Sequence, residues 1–417
     1  MSQPAIKVMH FADTHFGVEL YGRLDPDTGM NTRLRDFKKS LLHAIDSALE
    51  AEVDLAVFAG DAYKNRDPRQ TDQREFADCI RRLTNAGVPV VLLTGNHDMP
   101  AIRGRANAIE IYRTLGVTNV HVLSQKQILI VPTRAGKVRI AALPYLMKGL
   151  SVAREEFQGK SLDEIRLMLE DKYAGYVGDL AEEVRQADDT IPTILLGHFW
   201  ANGAKLSAWQ EGYFTRQEPQ VALSVLTNPA FDYVALGHIH RHQDLNKNGQ
   251  PHVVYCGSPD RIDFGEKDET KGFVLIHLRK GGADYEFVPV PESRAFLEIE
   301  VDADCEDPTE KILSAIRRHS LRNAIVKLRY QVSAERQALV REREIREALS
   351  FAFQVVSIQR KVFRDSVSRS RDFSESKTPR DNLSLYIDKN PAFTSHKTHL
   401  MELAEPLYVE LAEEEAP

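Results

Sequence analysis

At 417 residues the chain is too long for one ordinary domain and predicts two or three units. Its 42% hydrophobic and 28% charged residues exclude wholesale disorder and a collagen-like class. The net charge of −7 would argue against a polyanion partner if it were evenly spread, but between Lys311 and Arg371 fifteen Lys or Arg stand against five Asp or Glu, a local surplus of +10.

The start, Met1-Ser2-Gln3-Pro4, lacks a basic stretch followed by an apolar run, and no segment approaches the roughly 18 apolar residues of a membrane span. A cytoplasmic protein without membrane association is expected. Three cysteines, Cys79, Cys256 and Cys305, without CxxC spacing predict buried free thiols rather than disulfides or a cysteine zinc site.

In the first half, strand-like runs at 6–11, 55–59 and 88–93 alternate with helical patterns at 34–49 and 74–83. Further strand-like runs at 138–143, 193–196, 233–236, 252–255 and 273–277 complete a sheet-centred α/β domain over residues 1–291. The charged helical pattern at 161–185 predicts a solvated surface helix without a functional role. From 292 the texture changes to strand, helix (310–319), strand (324–330), helix (335–349) and strand (353–358), a compact α+β domain over 292–365 that carries the basic surplus. A Ser/Arg-rich stretch at 366–380 predicts a linker opening a tail over 366–417. In that tail Leu400, Leu403, Leu407 and Leu411 recur at helical spacing, and Pro406 predicts two short helices meeting at a kink.

Five short motifs each follow a predicted strand, where the side chains of an open α/β sheet converge on a crevice. They are Asp13-Thr14-His15, Gly60-Asp61, Gly95-Asn96-His97-Asp98, Gly197-His198 and Gly237-His238-Ile239-His240. Singly each is weak, because a lone strand-end His or Asp is more often a loop cap. Jointly they supply two Asp, one Asn and at least four His, a mixture of oxygen and nitrogen ligands suited to Mn, Fe or Zn rather than Ca. So many ligands exceed the needs of one ion and fit a bridged pair. The glycines before Asp61, Asn96, His198 and His238 are expected to let the backbone turn sharply.

The order of these motifs resembles the calcineurin-like metallophosphoesterase superfamily, whose pattern is D-x-H, GD, GNHD or GNHE, GH and GHxH. That resemblance implies a sheet sandwich flanked by helices, with the smaller α+β cap domain and helical C-terminal tail set out above. It also implies roles: Asp13, His15 and His240 as ligands of one metal, Asn96, His198 and His238 of the other, Asp61 as the bridge, and His97 as general acid or transition-state stabiliser. Asp98 then either orients His97 or caps its loop. Two cations would neutralise phosphate oxygens and lower the pKa of a shared water for in-line attack.

The segment from Tyr255 through Gly257-Ser258-Pro259-Asp260-Arg261-Ile262-Asp263-Phe264-Gly265-Glu266, then Lys271-Gly272-Phe273, resembles the SbcD family, the nuclease subunit of the bacterial SbcCD break-repair complex. Gly197-His198-Phe199-Trp200 and Gly237-His238-Ile239-His240-Arg241 fit it as well, and the resemblance covers roughly residues 5–290. It implies a DNA exonuclease/endonuclease using two divalent ions, Mn²⁺ with Mg²⁺ or Fe²⁺ as alternatives. It also implies an SbcC-type coiled-coil ATPase partner and a homodimer within a heterotetramer, with 106–115 as a candidate dimer helix. No GxxxxGK[ST] loop occurs, so any ATP dependence must come from the partner. Where the family usually carries an acidic residue or histidine, three positions after Asp61, this chain has Lys64. Lys64, Arg241, Arg336 and Arg343 are the candidate DNA contacts, with Arg336, Arg343 and Glu347 near one face of the helix expected at 335–349. The rivals are a phosphatase for small phosphoesters, against which the basic cap and the 257–266 segment count, and a metal-free scaffold, against which the ligand set counts.

Overall fold

The computed structural model describes residues 5–100, 105–146, 159–187, 190–213, 218–291, 293–363 and 378–414. They group into two compact units, 1–298 with 319–327 and 350–357, and 299–318 with 328–349 and 358–417.

The first unit opens with β1 (Ile6–Phe11), α1 (Thr32–Glu50), β2 (Leu55–Phe58), α2 (Gln70–Asn85), β3 (Val90–Leu93), α3 (Glu110–Thr114) and β4 (Val120–Leu123). Next come β5 (Gln127–Thr133), β6 (Gly136–Leu143), α4 (Leu162–Arg185), β7 (Thr193–His198), β8 (Trp200–Ala201), α5 (Ala208–Tyr213), β9 (Gln220–Val221) and α6 (Leu223–Leu226). Then follow β10 (Tyr233–Gly237), β11 (Gln243–Asp244), β12 (Val253–Tyr255), β13 (Gly272–Arg279) and β14 (Gly282–Pro289). Two six-stranded sheets result, in the orders β14-β13-β1-β2-β3-β4 and β11-β12-β10-β7-β6-β5. Strands β1 to β4 run parallel in the first, and β6, β7, β10 and β12 in the second.

The continuous apolar runs of β2 (LAVF) and β3 (VVLL) are buried on every residue, as parallel strands covered on both faces must be. Val8, Val57 and Val91 of one sheet meet Ile140, Leu196 and Ala235 of the other in a shared core. Outside the first sheet Phe37, Leu41 and Phe76 of α1 and α2 pack on Met9, Phe58 and Leu92. Outside the second sheet Tyr173, Val177 and Leu180 of α4 pack on Leu195, Val234 and Tyr255. The fold is a sheet sandwich with helices on both outer faces. The expectation of a merely solvated helix at 161–185 is corrected here, since Ile165, Leu169, Tyr173, Val177 and Leu180 form a buried stripe and the charges occupy only the outward side. Ser161 and Glu164 close its N-terminus with a capping box.

The expected helix at 106–115 shortens to α3, because the Asn107 side chain accepts from the Ile109 and Glu110 amides and holds the preceding turn open. Ile109 and Tyr112 are buried in the unit's own core, and Ile111 and Leu115 are exposed. Cys79 and Cys256 are buried free thiols, Cys305 a partly exposed one.

A three-stranded sheet is formed by β15 (Phe296–Asp302), β16 (Ile325–Ser333) and β17 (Gln354–Phe363) in that order. In the first unit, Phe296 and Ile325 join Phe264 in a small apolar cluster. The second unit contains α7 (Pro308–Arg317), α8 (Glu342–Leu349), α9 (Pro379–Asp388), α10 (Pro391–Thr394) and α11 (Lys397–Glu414). Ile312 and Ile316 of α7 and Ile345 and Leu349 of α8 are buried, as are Leu328 and Val332 of β16.

The helix expected at 335–349 is broken. A 3-10 turn at Gln337–Leu339 ends in an extended Val340 before α8 begins. The cause lies in Thr309, whose hydroxyl donates to the Leu339 carbonyl at 3.2 Å and accepts from the Arg341 amide at 2.9 Å, taking two groups a continuous helix would need. Arg336 and Arg343 therefore do not share one helix face. The two short helices expected around Pro406 are a single one, as α11 runs through it; Pro406 lacks an N–H and so omits one rung of the ladder without ending the helix. Residues 366–377 of the expected linker lie outside the described residues. No described helix is long and apolar enough to cross a membrane.

Candidate metal centre

All five motifs stand at the C-terminal ends of neighbouring parallel strands. Asp13 and His15 follow β1, Asp61 follows β2, Asn96 and His97 follow β3, His198 ends β7, and His238 and His240 follow β10. The pairings β1 to β2, β2 to β3 and β7 to β10 bring these ends together within each sheet. Asp13, His15, Asp61, His198, His238 and His240 are all buried, whereas Asn96 and His97 are partly exposed.

The sharp turning falls on the candidate ligands themselves. Asp13, His15, Asp61 and His238 have φ of 54°, 43°, 62° and 93°, a left-handed region costly for any residue with a Cβ and typical of functional sites. Of the four glycines expected to turn, only Gly60 has a positive φ. Gly95 is needed instead for close approach, because a Cβ there would lie 2.1 Å from Asp61 Oδ1.

Two donor groups meet at Asp61. On one side Asp13, His15 and His240 converge, and on the other Asp61, His198 and His238. His15 Nε2 lies 3.0 Å from His240 Nε2 and 3.7 Å from Asp61 Oδ2. His198 Nε2 lies 2.9 Å from Asn96 Oδ1 and 3.4 Å from Asp61 Oδ1, and His238 Nδ1 lies 3.0 Å from the same Asn96 oxygen.

The donor chemistry fits cations. A neutral imidazole has one N–H. His198 places Nδ1 2.6 Å from the Ala59 carbonyl and His240 places Nδ1 2.8 Å from Glu266 Oε1, so the proton of each is drawn away from the centre. Their Nε2 lone pairs then point into the centre, as metal-ligating imidazoles anchored through the other ring nitrogen do. His15 Nδ1 is buried without a hydrogen-bond partner. Without an ion, burial opposes charge on His198, but the Asp61 carboxylate outweighs it and pushes the imidazole up to about 9. Burial likewise opposes the charge on Asp61, yet His198 and His97 hold this carboxyl well below its ordinary range.

His97 sits edge-on to His15, ring centres 5.0 Å apart, and its amide donates to Asp61 Oδ1 at 2.9 Å. Its Nδ1 lies 2.7 Å from the Lys64 carbonyl oxygen, which leaves Nε2 to face the site. A ring nitrogen of His97 is also near enough to His15 and Asp61 for it to be counted among groups able to hold an ion. Asp98 does not orient it. The Asp98 carboxylate accepts from the amides of Gly95, Asp61, Ala62 and Tyr63, and so caps the two loops that carry Asn96 and Asp61.

Several residues outside the motifs hold the site together. Glu266, fully buried, fixes His240 and is itself held by Lys271 at 3.0 Å and by the Ile262 amide at 3.0 Å. Glu218 Oε1 stands 3.7 Å from His238 Nε2 and accepts from the Tyr145 hydroxyl at 2.7 Å. Gln210 bonds to the backbone of both His238 and His240. Glu266 falls within the 255–266 segment, but Gln210, Glu218 and Tyr145 stand at no motif spacing and carry no sequence signal.

Of the candidate DNA contacts, Lys64 is half-buried beside the centre, close enough for its charge to bear on His15 and His97, and Arg241 is exposed next to His240. Arg336 pairs with Asp304 at 2.9 Å and Arg343, 91% exposed, with Glu347 at 2.8 Å.

The profile of the family described as calcineurin-like phosphoesterase matches residues 6–242. The chain is 25% identical over 281 residues to the SbcD component of the nuclease SbcCD from Escherichia coli K12, covering 66% of each protein. It is 28% identical over 338 residues to the SbcD component of the nuclease SbcCD from Rhodobacter capsulatus, covering 76% of each. It is 26% identical over 320 residues to the DNA double-strand break repair protein Mre11 of Haloferax volcanii, covering 77% of this chain and 60% of that one.

Proposed function

Since the chain belongs to the calcineurin-like phosphoesterase family, we propose that it is a metal-dependent DNA phosphodiesterase, the nuclease subunit of an SbcCD-type complex in double-strand-break processing. The observation that carries this reading is two buried donor groups side by side, Asp13, His15 and His240 in one and Asp61, His198 and His238 in the other, with Asp61 Oδ2 3.7 Å from His15 Nε2. Asp13, His15 and His240 hold one ion, Asn96, His198 and His238 the other, and Asp61 belongs to both. Mn²⁺ is the ion proposed, with Mg²⁺ or Fe²⁺ as alternatives. Two such ions supply Lewis acidity, neutralising phosphate oxygens and lowering the pKa of a water placed for in-line attack.

The chain's own residues do the rest. Burial keeps the His97 imidazole below its ordinary pKa and therefore neutral at pH 7 before substrate arrives, despite the opposing pull of Asp61. A phosphodiester brings the negative charge that favours protonation, so His97 acts as general acid or stabilises charge on the departing oxygen. The Lys64 carbonyl keeps the ring pointed at that oxygen.

DNA as substrate is supported by the names of the relatives and by the local surplus of +10 between Lys311 and Arg371, where fifteen basic residues face five acidic ones. Lys64, Arg241, Arg336 and Arg343 contact phosphates, Lys64 nearest the scissile bond. The working division is nuclease domain 1–291, DNA-facing cap 292–365 and tail 366–417. The tail docks an SbcC-type coiled-coil ATPase, and the nuclease domain pairs with a second copy.

The test is metal analysis of the purified protein, followed by assays on plasmid DNA and on p-nitrophenyl phosphate monoesters and diesters with Mn²⁺. DNA and diester cleavage with two bound ions is expected. Monoester turnover without DNA cleavage would make it a phosphatase, and a protein that binds no metal would make it a scaffold.

A further inference from the structure

We infer that Gln210, a residue outside every motif, is a positioning residue that clamps the His238-Ile239-His240 loop and thereby sets the register of the two metal sites; this rests on the two-metal reading above. Its side-chain amide acts like a neighbouring strand. Nε2 donates to the His238 carbonyl at 2.8 Å and Oε1 accepts from the His240 amide at 3.1 Å. One side chain thus grips both sides of the two-residue step that separates a ligand of one site from a ligand of the other.

The clamp matters because His238 is strained. Its φ of 93° lies where a residue with a Cβ rarely rests, so the loop keeps this shape only if held at both ends. The amide end is held by Asp13, whose carboxylate oxygens accept from the His238 N–H at 3.0 and 3.1 Å. The carbonyl end is held by Gln210. Released there, His238 can relax towards negative φ, which swings Nδ1 away from Asn96 Oδ1, now 3.0 Å distant. Gln210 is itself pre-set, because it is buried, its backbone N–H donates to the hydroxyl of buried Ser207 at 3.2 Å, and that hydroxyl donates to Gln210 Oε1 at 3.4 Å. The contact needs one donor and one acceptor side by side, which a side-chain amide supplies at any pH.

The test titrates Mn²⁺ into metal-free full-length protein and follows it by electron paramagnetic resonance, which counts bound ions and reports an exchange-coupled pair directly. Gln210→Met keeps the shape and loses both bonds, while Gln210→Asn keeps the amide on a stem one methylene too short to span both backbone groups. In Gln210→Met the second equivalent should bind about 10–100-fold more weakly and the coupled signal should fade, with metal-free thermal unfolding close to wild type. Gln210→Asn should be weakened too, because its amide cannot reach the His238 carbonyl and the His240 amide together, and if Gln210→Met does not fold this variant decides. A coupled pair of wild-type affinity in the folded variant would overturn the inference alone. Wild-type protein that forms no coupled pair would overturn the two-metal reading with it.

Discussion

Acid should destabilise this fold through His10, and the size of the effect follows from where the ring lies. His10 is fully buried in β1 just ahead of Asp13, and its Nε2 lies 3.2 Å from the Leu236 carbonyl of β10, the strand that leads to His238 and His240. It therefore ties the two sheets together directly beneath the candidate metal centre. Burial lowers its pKa from 6.5 to about 3, with the Leu236 carbonyl opposing and His242 reinforcing the shift. The folded chain thus keeps this ring neutral where the unfolded chain protonates it. Its contribution is whole above pH 6.5 and is lost as the pH falls towards 3; between pH 7 and pH 5 linkage puts the loss at about 2 kcal/mol. His10→Leu removes the titration at similar volume, and the Leu236 carbonyl retains the Cys256 amide at 3.4 Å. Urea unfolding of both proteins with EDTA at the two pH values measures the difference, because the other buried histidines are common to both. Wild type should lose about 2 kcal/mol more than the variant. Equal losses would mean that His10 is hydrated or protonated in the folded state and that the inter-sheet tie is not as described.

Asp61→Ala should abolish cleavage and deplete both ions together, read by metal analysis beside a plasmid assay; loss of one ion only would remove the bridging role. His97→Ala should retain two ions while the rate falls by about 10²–10⁴-fold, and loss of an ion would make His97 a ligand instead. Reversing charge at Arg336 and Arg343 should weaken DNA binding and lower the log–log salt slope by about 0.9 for each phosphate no longer neutralised, with turnover of a small diester unchanged. Truncation after Arg380 should leave a stable, Mn²⁺-dependent nuclease that no longer co-purifies with the ATPase subunit. Undiminished co-purification would place the docking surface elsewhere.

The strands and the metal-facing residues were legible because both depend on local chemistry. Continuous apolar runs such as Val90–Leu93 announce buried parallel strands, and Asp, Asn and His at successive strand ends announce ligands. What escaped depends on tertiary partners. The pattern at 335–349 is a sound helix in isolation, and only the arrival of Thr309 from α7 diverts its backbone bonds. The charged surface of α4 concealed a stripe of buried residues three and four apart. Asp98 had two readings until the four amides around its carboxylate settled it as a cap. Gln210 and Glu218 reach the centre from the connection between β8 and β9, whose contact with the β10 loop leaves no periodicity to detect.

The bond between His97 and the main chain of residue 64 also bears on how such an enzyme can diverge. Every amino acid carries a carbonyl, so the group that aims His97 survives any exchange at that position. Relatives that orient this histidine through a side chain must conserve that side chain or lose the alignment. Here position 64 is released from that constraint, and its side chain can change sign, length or polarity beside the candidate metal centre in single mutational steps. Lys64 is one such state, a positive charge next to an imidazole whose pose the main chain fixes, so charge at this position can vary while the orientation of His97 does not.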